Sequence, residues 1–454
     1  MKSRDSFNSK IGIIAAAAGS AIGLGNIWKF PYMAGKFGGG AFILIYLIAI
    51  LIMGYPLIYA EFALGRKAKT NAVDTFGVIT GKKGWNIVGF LAVGTVFLIS
   101  TFYMMITGWV IYYLWHSING SLYAIPETLN ATQHFQNVFS EMVSGMWTPL
   151  IFAIVAIVIT GLINAQGIKE GVEKYSKIMM PILFVIFIIL IGYSTTLPGF
   201  KEALSFLFKP NFSEITPTVI ISAIGQAFFS LSLGMGALIT YGSYISNKEN
   251  LRKLALEVSI ADTIIALFAG LLIFPAVFTY GLEPTAGPSL IFISLPQVFL
   301  QMPGGRIFST LFFLLIIVAA VTSMVSMLEI MITYVDEKTK FSRKTSTWLV
   351  VLATSIGGFI NIAGEGPLST IKLAGRTIFE TLDYFTNNVT IPLVAVLTAI
   401  VATWIWKTKH LNTELEHGGH RSTALDHFFN FILKWTTPPI ILVLMIALLL
   451  GVQA

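Results

Sequence analysis

Cysteine is absent from all 454 positions, which excludes both a disulfide framework and a thiolate metal site. Charge is nearly as scarce. Asp, Glu, Lys and Arg together make up 11% of the chain, whereas soluble domains cover themselves with roughly 25%. Histidine occurs only at 116, 134, 410, 417, 420 and 427, in loops or at the ends of apolar runs. That gives no support to a buried imidazole centre or a membrane proton relay, and His410, His417 and His420 read as a solvated loop. What the chain has instead is 55% hydrophobic residues, 35 Phe, nine Trp and a mean hydropathy of +0.79. Such a chain cannot cover itself in water. It suits a lipid-facing surface with aromatic belts, so the fold class is all-α integral membrane.

The net charge of +7 and pI near 9.3 would by themselves suit a nucleic-acid partner. The basic residues, however, sit mostly in short loops between apolar runs, where they orient a membrane protein; no nucleic acid and no enzymatic role are expected. A run of about 20 apolar residues crosses the hydrocarbon core. On that basis spans fall near 10–36, 40–65, 86–116, 147–166, 174–195, 217–245, 253–281, 304–334, 346–363, 376–406 and 436–453. The first lacks a small-residue cleavage site and reads as a retained helix. The loop from His116 to Trp147 contains no Lys or Arg. These asymmetries place the amino terminus in the cytoplasm and, with eleven spans, the carboxyl terminus outside a cell membrane.

Two spans are interrupted. The first carries Gly19, Gly23, Gly25 and Asn26 in mid-run, and the sixth reads Ser-Leu-Ser-Leu-Gly-Met-Gly from Ser230 to Gly236. Each glycine costs a helix interior roughly 1 kcal/mol against Ala. Glycine can simply allow close helix packing. Interruptions in spans one and six, however, occupy corresponding positions of a five-plus-five inverted repeat, with 10–195 and 217–406 as its halves and 436–453 as an additional span. Unwound backbone at bilayer depth survives only where it lines a cavity, so the correspondence favours a binding site.

The strings Gly23-Leu24-Gly25-Asn26-Ile27-Trp28-Lys29-Phe30-Pro31-Tyr32, Gly38-Gly39-Gly40-Ala41-Phe42 and Gln226-Ala227-Phe228-Phe229-Ser230-Leu231-Ser232-Leu233-Gly234 resemble the neurotransmitter:sodium symporter family, and the likeness runs from Arg4 to about Asp383. Broken helices within inverted repeats are themselves exemplified by a bacterial leucine carrier of that family, so the repeat pattern and the resemblance are not independent. The resemblance is to bacterial eleven-span members that carry hydrophobic or aromatic amino acids. It implies sodium-coupled symport by alternating access; other small carboxylates, or a cation channel, are the competing functions.

The resemblance implies two sodium ions, hard cations that take several oxygens. One site would use the carbonyls of Gly19, Ile22 and Ala319 with the hydroxyls of Thr322 and Ser323. Ala319 and Thr322 lie three apart and share a helix face, although a Thr-Ser pair also commonly bonds back to its own helix. The other site would use the Ala21 carbonyl, Asn26, Ser230 and Asp262, the last where the family commonly has Asn. An Asp deep in a span costs at least about 2.5–3.5 kcal/mol unless paired; its partner is either sodium or a Lys or Arg. Chloride-dependent relatives need a hydroxyl where this chain has Ala266. The fixed charge of Asp262 would replace the anion beside Tyr46, Gln226 and Ser230, so chloride is not expected.

The broken sixth span offers amides and a positive dipole end to a substrate carboxylate, and Gly23 stands where monoamine-carrying relatives have an acid. The expected substrate site is Ala21, Leu24, Gly25, Ile99, Tyr103, Phe229, Ser230, Ser232, Met235, Ser323 and Met327, with the two methionines as an adaptable wall. By resemblance Lys29 and Asp383 form an outer gate, and Arg4 with Asp336 or Glu337 an inner one, with Phe7 where Trp is usual. Gly171 and Pro181 mark a hinge at the start of span five, since Pro removes a backbone bond. The partners implied are an amino acid, sodium and the bilayer, in a monomer or weak oligomer.

Overall fold

The computed structural model describes residues 6–281, 290–417 and 423–451. Nine helices among these are long and apolar enough to cross a membrane, and a broken pair, Lys10–Ala21 and Gly25–Lys36 bent by 53°, makes a tenth. The sixth run falls short of that length only because it is split, into Pro217–Ser230 and Ala237–Tyr244. Counted as one discontinuous span it is the eleventh. Among the described residues the one extended pairing is a bridge between Leu373 and Arg376.

The polarity is that of a membrane protein. On the fourth span (Trp147–Asn164) the exposed side chains Ile151, Val155, Ile159 and Leu162 form one apolar stripe. The interior instead collects hydroxyls, amides and carboxylates such as Asn26, Glu61, Asp262 and Thr322. The eighth span (Gly305–Lys338) packs against the first, third, fourth, fifth and ninth, which makes it the axis of the bundle. The second span and the second half of the sixth touch almost backbone to backbone. A Cβ on Gly65 would fall 1.9 Å from the Ile239 oxygen, and one on Gly242 2.5 Å from that of Phe62. This is small-residue packing between membrane helices.

Proline sets much of the irregularity. Five π-helical turns, Gly25–Lys29, Ile50–Gly54, Leu290–Ser294, Thr386–Thr390 and Ile432–Thr436, are each followed two residues later by a proline, at 31, 56, 296, 392 and 438. Proline has no N–H for the carbonyl four residues back and its ring collides with it; a one-residue-wider turn relieves the collision without ending the helix. The carbonyl released by Pro438 belongs to Lys434, and the Trp404 indole donates to it at 3.1 Å.

Those turns move span boundaries. The eleventh span runs Ala424–Leu449 and begins well before residue 436, because the helix continues through the turn that precedes Pro438. The fifth runs Ile168–Ser194, with Gly171 inside the π-helical turn Ile168–Glu173.

Candidate functional site

Both breaks face the eighth span. The first helix stops at Ala21, Ile22 turns extended, and the Asn26 side chain folds back so that its Oδ1 accepts from the Gly23 N–H at 3.3 Å. In the sixth span the chain leaves the helix after Ser230 and passes through three left-handed residues, Ser232, Gly234 and Gly236, at φ 53°, 71° and 75°. Serine pays for this conformation in strain, and its hydroxyl is used: Ser232 Oγ donates to the Ser20 carbonyl at 3.0 Å, tying one break to the other.

Around Ser323 the geometry suits a cation. Its Oγ lies 3.1, 3.2 and 3.4 Å from the carbonyl oxygens of Ile22, Gly19 and Ser20. One hydroxyl carries one proton, so three carbonyls converge where a single donor is available, and carbonyl oxygens are what a hard cation takes. Thr322 bonds back to Val318 and Ala319 at 3.1 and 2.9 Å, which also keeps its oxygen beside the Ala319 carbonyl. A Cβ on Gly19 would sit 3.2 Å from Thr322 Cβ and 3.6 Å from the Met180 sulfur. The Pro181 region of the fifth span therefore lies directly against this cluster.

Asp262 is completely buried. Its Oδ1 accepts from Asn26 Nδ2 at 2.7 Å, and its Oδ2 from Ser230 Oγ at 2.6 Å and Tyr46 Oη at 3.2 Å. All three donors are neutral, and among the described residues no Lys or Arg pairs with this carboxylate. Gln226, expected beside it, donates to the Gly25 carbonyl at 3.1 Å.

Against the Ser323 cluster lies a cavity bounded by Ala21, Leu24, Gly25, Ile99, Tyr103, Phe229, Ser232, Met235, Ser323 and Met327, all expected from the sequence, and by Ser20, Gly23, Phe102, Ala237 and Ile330, which were not. Ser230 belongs to the Asp262 cluster instead. The Tyr103 hydroxyl accepts from the Leu24 N–H at 3.3 Å. A Cβ on Gly23 would fall 2.5 Å from Ser323 Oγ and 2.9 Å from Tyr103 Oη, so this position has no room for an acidic side chain.

The outer pair is not in direct contact: the Lys29 ammonium lies 4.5 Å from the centroid of the Phe229 ring, a cation–π distance, while Asp383 accepts from Asn387 at 2.7 Å. On the inner side Arg4 lies outside the described residues. Glu337 accepts from Thr70 Oγ1 and from the backbone and side-chain nitrogens of Asn71 at 2.8–3.1 Å, and Asp336 is half-buried beside it. Phe7 packs edge-on against Tyr241 and Tyr244.

Four buried carboxylates, Glu61, Glu173, Glu329 and Glu414, went unread in the sequence; Glu329 pairs with Arg343 and Glu414 with Arg66. Glu61, fully buried, accepts from the Gly234 N–H at 2.9 Å and so holds the sixth-span break. Glu173, at the end of the π-helical turn Ile168–Glu173, accepts from the Asn8 N–H at 2.7 Å and Ser9 Oγ at 2.8 Å, and pairs with Lys177 at 3.0 Å. An acid inside an apolar run was the available signal for Glu61.

Residues 4–125 and 127–454 match the model of the sodium:neurotransmitter symporter family. The chain belongs to that family. It is 36% identical over 441 residues to an uncharacterised sodium-dependent transporter of Bacillus subtilis, covering 97% of each chain, and 35% identical to another of Haemophilus influenzae, covering 98% of each. Among solved structures, MhsT in complex with L-phenylalanine matches with a TM-score of 0.90 and 38% identity, over 98% of this chain and all of that one. The chain is thus a multi-pass, sodium-dependent membrane transporter and not an enzyme.

Proposed function

We propose that this symporter imports hydrophobic or aromatic L-amino acids with two sodium ions and without chloride. What carries this proposal is one cavity touching both helix breaks, with the carbonyl cage at Ser323 in its wall and with Gly25 and Phe229, chain neighbours of Asn26 and Ser230 in the buried carboxylate cluster, lining it as well. Three carbonyls around Ser323 suit one sodium. Asp262, with only neutral donors, suits another and supplies the negative charge that chloride supplies in chloride-dependent relatives, which carry a hydroxyl in place of Ala266. The substrate carboxylate would meet the amides near Leu24 and Gly25 and the Tyr103 hydroxyl. Its side chain would lie against Met235 and Met327, whose thioethers adapt to several shapes. The similar MhsT was solved with L-phenylalanine, a side chain of this class.

Transport would proceed by alternating access in two inverted halves, 10–195 and 217–406. The amino terminus would be cytoplasmic and the carboxyl terminus outside. The Lys29–Asp383 pair would close above the substrate; Arg4 with Asp336 or Glu337 would close below. Unwinding between Gly171 and Pro181 would uncover Thr322 and Ser323 to the cytoplasm. Substrate and ion binding are coupled because both complete the same backbone groups.

The test is a screen of L-amino acids for uptake into proteoliposomes under an inward sodium gradient, with choline replacing sodium and gluconate replacing chloride in parallel. Sodium-dependent uptake of Leu, Phe or Trp in gluconate is expected. No sodium-dependent uptake of any amino acid, or uptake only with chloride, overturns the proposal.

A further inference from the structure

The expected pocket ended at Met327, but the cavity continues to Ile330 of the eighth span and Ala237, the first residue after the sixth-span break. Ser323, Met327 and Ile330 stand at i, i+4 and i+7, a single helix face. At 1.5 Å of rise per residue they extend about 10 Å along the axis. The cavity's far end is made differently from its walls. Met235 and Met327 are unbranched and re-form around what they touch, whereas Ile330 is β-branched and stiff at χ1. Ile330 is also locked in place. It is almost fully buried, and a Cβ on Gly236 would stand 3.9 Å from its Cγ2 and 3.2 and 3.4 Å from the Cβ atoms of Ala72 and Ala92. The break thus packs closely on Ala72, Ala92 and Ile330, and of these three only the isoleucine is bulky and lines the cavity.

We infer that Ile330 is the floor of the side-chain pocket and sets the longest side chain the transporter accepts, while the methionines set the breadth at a given length. This rests on the proposed amino-acid symport and deepens it by naming the residue that sorts substrates by length. Ala237, facing the same end from the sixth span, is its counterpart.

The experiment uses the full chain in proteoliposomes, comparing kcat/KM for L-leucine, L-phenylalanine and L-tryptophan under a fixed sodium gradient. One methylene in an apolar pocket discriminates by roughly 10- to 200-fold. Ile330→Ala is therefore expected to raise the tryptophan-to-leucine ratio at least about tenfold, and Ile330→Phe to lower it by a similar factor. Both changes should fall mainly in KM, with the sodium concentration for half-maximal uptake unchanged, because Ile330 touches neither ion cluster. Ala237→Val, which shortens the pocket without altering Ile330, should act as Ile330→Phe does and keeps the test decisive where an Ile330 variant fails to fold. Ratios unchanged within twofold, or uptake of all three substrates falling together, overturn the inference. A wild type with no sodium-driven uptake of any amino acid overturns the proposed function instead, so the two failures are separable.

Discussion

Replacing Asp262 by Asn removes one charge while keeping shape, and the structure separates its effect on folding from its effect on ion binding. The introduced amide would retain one acceptor for Asn26, and its new N–H groups would face the Ser230 and Tyr46 hydroxyls, 2.6 and 3.2 Å from the present Oδ2. Hydroxyls donate or accept by rotation, so both contacts can reverse. The variant also no longer buries a charge that lacks a basic partner. The sodium-free variant should therefore melt at or above the wild-type temperature. The loss falls on the ion. Two unit charges about 4 Å apart at an effective dielectric of 20 attract by about 4 kcal/mol, close to three powers of ten in Kd. Reversed hydroxyl dipoles and the retained amide oxygen offset part of that, leaving an expected weakening between about tenfold and a thousandfold. The assay is the sodium midpoint of substrate-induced thermal stabilisation, in chloride and in gluconate. The wild type should give one midpoint in both media. The variant should be weak in gluconate and partly restored by chloride, because the Tyr46 and Ser230 hydroxyls and the new amide N–H can then turn to an anion there. An unchanged sodium midpoint in the variant, or a wild type that loses its response in gluconate, refutes the role given to this carboxylate.

Gly23→Ala puts a methyl 2.5 Å from Ser323 Oγ and 2.9 Å from Tyr103 Oη; overpacking of about 1–3 kcal/mol should weaken substrate binding ten- to hundredfold by calorimetry, and unchanged affinity would show that the cavity is not the substrate site. Glu61→Ala leaves the buried Gly234 N–H without its acceptor and should destabilise by about 1–3 kcal/mol, whereas Glu61→Gln keeps an acceptor and should cost distinctly less in a thermal melt; equal losses would mean the charge, and not the hydrogen bond, matters. Pro181→Ala restores a helical N–H at the proposed hinge and should slow turnover while equilibrium binding from the outside persists; an equal fall in both counts against the proposed unwinding step.

Which parts of this molecule can be read from its sequence follows from the range of the forces involved. The two breaks were legible because their cause is local: glycine and serine clustered in mid-span weaken a helix wherever it packs. Asp262 was legible because its burial cost needs a partner regardless of fold. The start of the eleventh span was not. A proline pair at 438 and 439 suggests a helix N-terminus, yet the helix already runs from Ala424 and absorbs Pro438 by widening one turn. The same device recurs at Pro31, Pro56, Pro296 and Pro392, whereas Pro181 and Pro275 lie within regular helix and Pro217 starts one, so a proline in an apolar run does not by itself say whether the helix starts, widens or continues. Glu61, Glu173 and Ile330 act through partners far away in sequence, Glu61 on Gly234 and Glu173 on Asn8. No local pattern encodes those pairings.

The Ser20 carbonyl shows why ion and substrate need no remote relay. It lies 3.0 Å from Ser232 Oγ, which belongs to the sixth-span break, and 3.4 Å from Ser323 Oγ, which belongs to the eighth span. Ser20, Ser232 and Ser323 also line the cavity. One backbone oxygen thus joins the first, sixth and eighth spans at the edge of both the carbonyl cluster and the cavity. Separating the first span from the eighth lengthens the contacts of Gly19, Ser20 and Ile22 with Ser323, and it draws Ser20 and Ser323, which line the cavity, apart in the same movement. In the proposed cycle, loss of the caged ion and loosening of the substrate are therefore two descriptions of a single backbone shift, a coupling set by contact and not by a pathway.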